Sequence, residues 1–113
     1  MELQNLGYIQ EVLRAEKVPF NELQELVFTG EKTFILKADG KYFLSKKQLT
    51  EEEALKTALE ISSHYGKPLN EEEPRLLIKE KDYYRVIATI PPNSGLVTLT
   101  ILFNHSSSFP FYA

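Results

Sequence analysis

The chain reads as a small α+β domain. An N-terminal helix, a β-hairpin or meander, a central helix and three mostly antiparallel strands form one sheet with helices packed on it. Three observations predict this class. Two segments, 2–17 and 50–65, repeat apolar residues at three- and four-residue steps, the spacing of an amphipathic helix. Between and after them lie short β-rich runs separated by turn residues. The length of 113 residues suits one core and no second domain, with 1–104 as the domain and 105–113 as a C-terminal tail.

Leu3, Leu6, Ile9, Val12 and Leu13 mark the apolar face of the first helix, and Pro19 ends it by disfavouring helical geometry at Val18. Asn21 and Gln24 have the spacing of a capping box, yet Leu26-Val27-Phe28-Thr29, closed by Gly30, is a good strand tetrapeptide. The expectation is a turn of helix and then a strand. The runs 33–37 and 41–45 flank Ala38-Asp39-Gly40, where glycine's tolerance of positive φ favours a hairpin. Thr50 with Glu53 forms a capping box, and Glu51 and Glu52 suit the positive end of the helix dipole. Ala54, Leu55, Ala58, Leu59, Ser62 and Tyr65 trace the expected buried face, and Gly66 followed by Pro68 stops the helix.

Residues 69–74 read as a polar, acidic loop, and 75–80 and 83–90 as strands around a Glu-Lys-Asp turn. Alternation puts Tyr83 and Arg85 on one side of the second strand and Tyr84 and Val86 on the other. Pro91 and Pro92 interrupt the chain, since two prolines cannot continue an interior strand. The last strand, 96–103, sets Leu96, Thr98, Thr100 and Leu102 against the wholly apolar Val97, Leu99, Ile101 and Phe103, the pattern of a half-buried strand.

Composition excludes several classes of function. A net charge of -3 argues against nucleic acid as the main partner, because phosphate recognition needs a concentrated Lys/Arg surface. Without cysteine there is no disulfide framework, thiolate nucleophile or Cys-based metal site. No stretch approaches the ~20 apolar residues needed to span a bilayer, and 1–5 lack the pattern of a signal peptide. A cytoplasmic setting is expected, and the sequon Asn104-His105-Ser106 carries no weight there.

Motifs for chemistry are sparse. Gly30-Glu31-Lys32-Thr33 superficially resembles the end of a phosphate-binding loop, but Glu31 separates the glycine from the lysine, and Glu25 stands where the first glycine belongs. Gly66-Lys67 is followed by Pro68, which has no hydroxyl for magnesium. His64 and His105 lie far apart, with no carboxylate at metal-ligand spacing; His64 suits a helix end. The runs Glu51-Glu52-Glu53 and Glu71-Glu72-Glu73 have the form of solvated charge rather than an acid–base pair. Ser106-Ser107-Ser108 lacks a paired base and reads as a linker. Phe109, Phe111 and Tyr112 make the tail either a docking peptide or a segment folded back on the domain. No cofactor, catalytic residue or metal ligand emerges.

An ordered set of short motifs adds a family resemblance. Gly66-Lys67-Pro68-Leu69-Asn70-Glu71 leads to Pro74; Arg85-Val86-Ile87-Ala88-Thr89-Ile90 runs into Pro91-Pro92; Gly95 precedes Thr98-Leu99-Thr100-Ile101. Upstream stand Leu26-Val27-Phe28-Thr29-Gly30 and Phe34-Ile35-Leu36-Lys37-Ala38-Asp39-Gly40-Lys41. Over about 20–103 this order resembles the N-terminal domain of the type II/type IV secretion ATPases, which drive pilus assembly, conjugation and protein export. The family's ATPase domain, with its phosphate-binding loop, has no counterpart in the chain. Leu102 stands where the family's last strand carries an arginine, while Arg85 matches its other basic position.

The resemblance implies a non-catalytic interaction and assembly domain whose partners are secretion or pilus machinery proteins and an ATPase ring, with self-association and peripheral attachment at the inner face of the membrane as options. The chain is then either a piece of a larger ATPase or a stand-alone relative. Arg85 becomes the candidate for phosphate contact through its bidentate fork, the alternatives being an exposed strand residue or a salt-bridge partner. The competing expectation is a small acidic secretion chaperone or adaptor that binds a client segment.

Overall fold

In a computed structural model of the chain, Leu3 and residues 6–80, 83–91 and 96–104 are described. The elements run α1 (Gly7–Glu16), a 3-10 turn (Phe20–Glu22), β1 (Leu23–Thr29), β2 (Lys32–Lys37), β3 (Tyr42–Leu44), α2 (Glu51–Tyr65), β4 (Arg75–Glu80), β5 (Tyr84–Thr89) and β6 (Thr98–Phe103). The fold is α+β, as expected. The strands form one antiparallel sheet in the order β3-β2-β1-β6-β5-β4. Two three-stranded meanders therefore meet at β1 and β6, and the connection through α2 carries the chain from one edge of the sheet to the other.

Helix α1 begins at Gly7 and buries Ile9, Val12 and Leu13. It stops at Glu16 because Lys17 turns left-handed (φ 55°) and its amide bonds back to the Arg14 carbonyl, two residues before Pro19 could act. The acidic Glu16 is unfavourably placed at a helix C-terminus. Its carboxylate is held instead by the Ser45 hydroxyl at 3.1 Å and by the Lys46 amide, which fastens the helix end to the segment after β3.

Strand β1 begins three residues before the Leu26 tetrapeptide. A bulge between Leu23 and Glu25 shifts the register by one, so Leu23 and Leu26 both face the core despite their odd spacing. Leu23, Leu26 and Phe28 are all fully buried. The β1–β2 turn consists of Gly30 and Glu31, both at positive φ (58° and 61°), the two-residue geometry that matches the twist of a hairpin. The stretch resembling a phosphate loop is thus a hairpin corner. The second hairpin turns at Asp39 and Gly40 (φ 90°), with the Lys41 amide donating to Asp39 Oδ1.

Both halves of the Thr50–Glu53 capping box form, at 3.1 and 2.9 Å, and Gly66 closes α2 at φ 64°. The buried stripe of α2 is Ala54, Thr57, Ala58, Ile61 and Ser62, rotated from the expected one: Leu59 is exposed and Leu55 only half-buried. Thr57 and Ser62 enter the stripe because their hydroxyls bond to the carbonyls of Glu53 and Leu59. Glu51 Oε1 accepts from the Val97 amide at 3.0 Å, tying the start of α2 to the start of β6.

The core lies between the helices and one face of the sheet. Leu26, Ile35, Ile78, Val86 and Ile101 line up across the strands, with Phe28 and Leu99 paired beside them. Phe103 packs edge-on against Phe20, with ring centroids 5.1 Å apart. Thr33, fully buried, satisfies its hydroxyl by accepting from the Leu49 amide. The tail 105–113, including His105, Phe109, Phe111 and Tyr112, lies outside the described residues, as do 81–82 and 92–95.

The two faces of β6 make a direct test. Ile101→Ala is expected to cost about 2–5 kcal/mol, as for truncation of a fully buried aliphatic side chain. Leu102→Ala, one residue along and facing out, should change stability by less than about 0.5 kcal/mol. Urea unfolding followed by circular dichroism measures both, and equal losses would contradict the assigned faces.

Candidate functional site: the open face of the sheet

Alternation sends every second residue of each strand to the side that carries no helix. One row across all six strands reads Leu44, Phe34, Val27, Thr100, Ile87, Leu77. The row beside it reads Tyr42, Leu36, Glu25, Leu102, Arg85, Lys79. A largely apolar band, broken by Thr100, thus crosses the whole width of the sheet with no element over it among the described residues. Leu77 is 58% exposed, Ile87 40% and Leu102 37%, and at the opposite edge Tyr42 stacks on Phe34 at 5.6 Å. Phe34, Leu36 and Val27 between them are half-buried, and exposed apolar surface of this kind is a candidate interaction surface.

Charge on this face departs from that of the whole chain. The outward residues of β4, β5 and β6 include Arg75, Lys79 and Arg85 but no carboxylate, in a protein of net charge -3. Arg85 stands directly opposite Lys79 on one side and Leu102 on the other. Like charges facing each other across a strand pair are destabilising. Among the described residues, Arg75, Lys79 and Arg85 take part in no salt bridge; the nearest acid in the register is Glu25, beyond Leu102 on β1.

Arg85, singled out in the sequence, is therefore an exposed strand residue with a free guanidinium fork on a flat surface. Arg75, Leu77 and Lys79 were not singled out. The signal for them lay in Leu76 and Ile78: once these face the core, their odd-numbered neighbours must face out. His64 is exposed at the end of α2, its ring edge-on to Tyr65 at 4.9 Å, and plays the surface role expected of it. Among the described residues no three His, Asp or Glu side chains gather as a metal site.

On the helix side, the Tyr65 and Tyr84 hydroxyls bond to each other between α2 and β5. Burial first, and then hydrogen bonding to Tyr84 and Glu80, pushes the Tyr65 phenol far above its ordinary range. Burial and the Glu80 charge raise Tyr84 as well, although its bond to Tyr65 works the other way. Neither phenol ionises near neutrality, so the pair is a neutral strut and not an acid–base device.

No protein-family model matches the chain, and no curated protein does. Among solved structures, the chain is similar to the VirB11 ATPase from the Brucella suis type IV secretion system, crystallised in complex with sulphate. The likeness has a TM-score of 0.61 at 15% sequence identity and covers 84% of this chain. The chain spans 30% of the length of that ATPase chain. At such identity the likeness is one of fold.

The tyrosine pair has a measurable consequence. Because both folded phenols hold their protons above the ordinary value of 10.0, stability from them is complete below pH 10 and is lost as the pH rises beyond it. Thermal midpoints measured between pH 9 and 11 should fall less steeply in Tyr65→Phe/Tyr84→Phe than in the wild type. Identical slopes would show that the pair does not resist ionisation.

Proposed function

We propose that this chain is a non-catalytic interaction and assembly domain that works with the traffic ATPase of a secretion, pilus or conjugation system. The observation that carries this function is the fold shared with the VirB11 ATPase across 84% of the chain. Several of the ordered motifs coincide with elements of this chain's own fold. Gly66 caps α2, Arg85 to Thr89 form β5, and Thr98 to Ile101 lie in β6.

The open face supplies the means. A sheet braced from behind by two helices holds its exposed side chains in fixed positions, so binding need not first order them. Leu102 lies directly opposite Arg85. The two basic positions of the family pattern are thus cross-strand neighbours, and here one of them is apolar. That substitution weakens phosphate binding by Arg85 and widens the hydrophobic contact surface, which favours protein docking over nucleotide chemistry. Partners on this account are secretion or pilus proteins, including an ATPase ring, met at the inner face of the membrane. The second function, an acidic chaperone or adaptor holding a client segment, draws on the same exposed band; a stable dimer that binds an unstructured peptide would favour it.

Affinity capture from the native cell, with the full chain as bait, tests the assignment. Secretion or pilus components should be recovered by the wild type and depleted severalfold by Ile87→Glu, which places a charge in the centre of the open band. Recovery of no such component would contradict the proposal. So would ATP hydrolysis by the purified chain that is abolished by Arg85→Ala.

A further inference from the structure

Strand β4 is an edge: it pairs with β5 on one side and with nothing on the other among the described residues. Its free side therefore presents a row of unpaired backbone N–H and C=O groups, a template for an added strand. The opposite edge, β3, is three residues long, whereas β4 is six, enough to hold a partner strand in register.

We infer that this edge accepts an extended acidic segment of a partner protein by strand addition. The outward side chains of β4 are Arg75, Leu77 and Lys79, a cation on each side of an apolar residue. A strand laid beside them places its own outward residues about 5 Å away, directly opposite these three. The complementary sequence is acid-x-apolar-x-acid, and it satisfies the edge in either strand direction because the β4 pattern is symmetric about Leu77. An open hollow of about 390 Å³, lined by Lys67, Pro68, Glu73, Arg75, Leu76 and Leu77, lies at the start of the strand and has room for a further side chain of the incoming segment.

Charge selects this occupant over the others. Arg85 stands opposite Lys79 on the next strand, so the cation excess extends inward from the edge, and the nearest acid in the register, Glu25, stands beyond Leu102. Incoming carboxylates relieve that repulsion. A second copy of the chain does not, because two β4 strands centred on Leu77 would set Arg75 against Lys79 twice. Nucleic acid is disfavoured because, Tyr83 apart, this half of the face offers Leu77, Ile87 and Leu102 in place of a row of aromatic rings on which bases stack. The inference holds whether or not the partner belongs to a secretion system.

The test is to pan a display library of random eight-residue segments against the full chain and against Arg75→Glu/Lys79→Glu. The wild type should enrich acid-x-apolar-x-acid segments, and the double reversal should enrich Lys or Arg at the same two positions. The best wild-type peptide should bind the reversal variant at least about tenfold more weakly, since two favourable surface ion pairs become two repulsive ones. N-methylation of its alternate amides should abolish binding if the contact is a strand ladder. Leu77→Thr, which keeps a strand-forming residue, should remove the apolar preference at the central position alone. Matching thermal unfolding of all variants guards against misfolding. The inference is overturned if the wild type selects nothing, if both chains select the same pattern, or if N-methylated peptides bind equally well. It is overturned too if sedimentation shows a wild-type dimer that Arg75→Glu/Lys79→Glu dissociates.

Discussion

The antiparallel ladder between β1 and β6 is the contact on which the other features depend. It pairs Leu26 with Ile101 and Phe28 with Leu99, joining the first quarter of the chain to its last. Each meander alone is a three-stranded sheet with little to bury; joined, they make a six-stranded surface wide enough to need two helices on one side. Because strand residues alternate, that same register determines the opposite face. Sending Leu26, Ile101, Val86 and Ile78 inward obliges Val27, Thr100, Ile87 and Leu77 to face out. The open band and the packed core are two consequences of one pairing.

Much of this was legible in the residues. Asp39-Gly40 marked a hairpin through glycine's positive φ, Thr50 and Glu53 marked the start of α2 through their reciprocal bonds, and strict alternation in 97–103 identified the buried face of β6. Local chemistry determines each of these. Two details were not legible in the local pattern. The expected turn of helix and then strand formed at 20–29, but the strand starts at Leu23, where a bulge lets both Leu23 and Leu26 face the core. On α2, Thr57 displaced Leu59 from the buried stripe because a hydroxyl bonded to its own helix is small and satisfied enough to pack inside. Of the candidate site, Arg85 and the outward side of β6 with Leu102 were legible, and the rest was not. The order of strands decides which cations become neighbours, and that order is set by the β1–β6 pairing, which no short-range signal encodes.

The proposed interaction function rests on the open face as a whole more than on any single residue. The helix side is closed by a continuous apolar core and by the paired Tyr65 and Tyr84 hydroxyls. The other side presents Leu77, Ile87 and Leu102 among uncompensated cations on a rigid support. Burying those apolar residues and neutralising those charges would both lower the free energy, and among the described residues no element of the chain does either. Hydroxyl-radical footprinting of the chain, free and in complex with a partner captured from its native cell, addresses this most directly. Protection should concentrate on Leu77, Ile87 and Leu102, with Leu59 on the exposed side of α2 unchanged. Protection confined to α1 and α2, with the sheet face as reactive as in the free chain, would contradict the account.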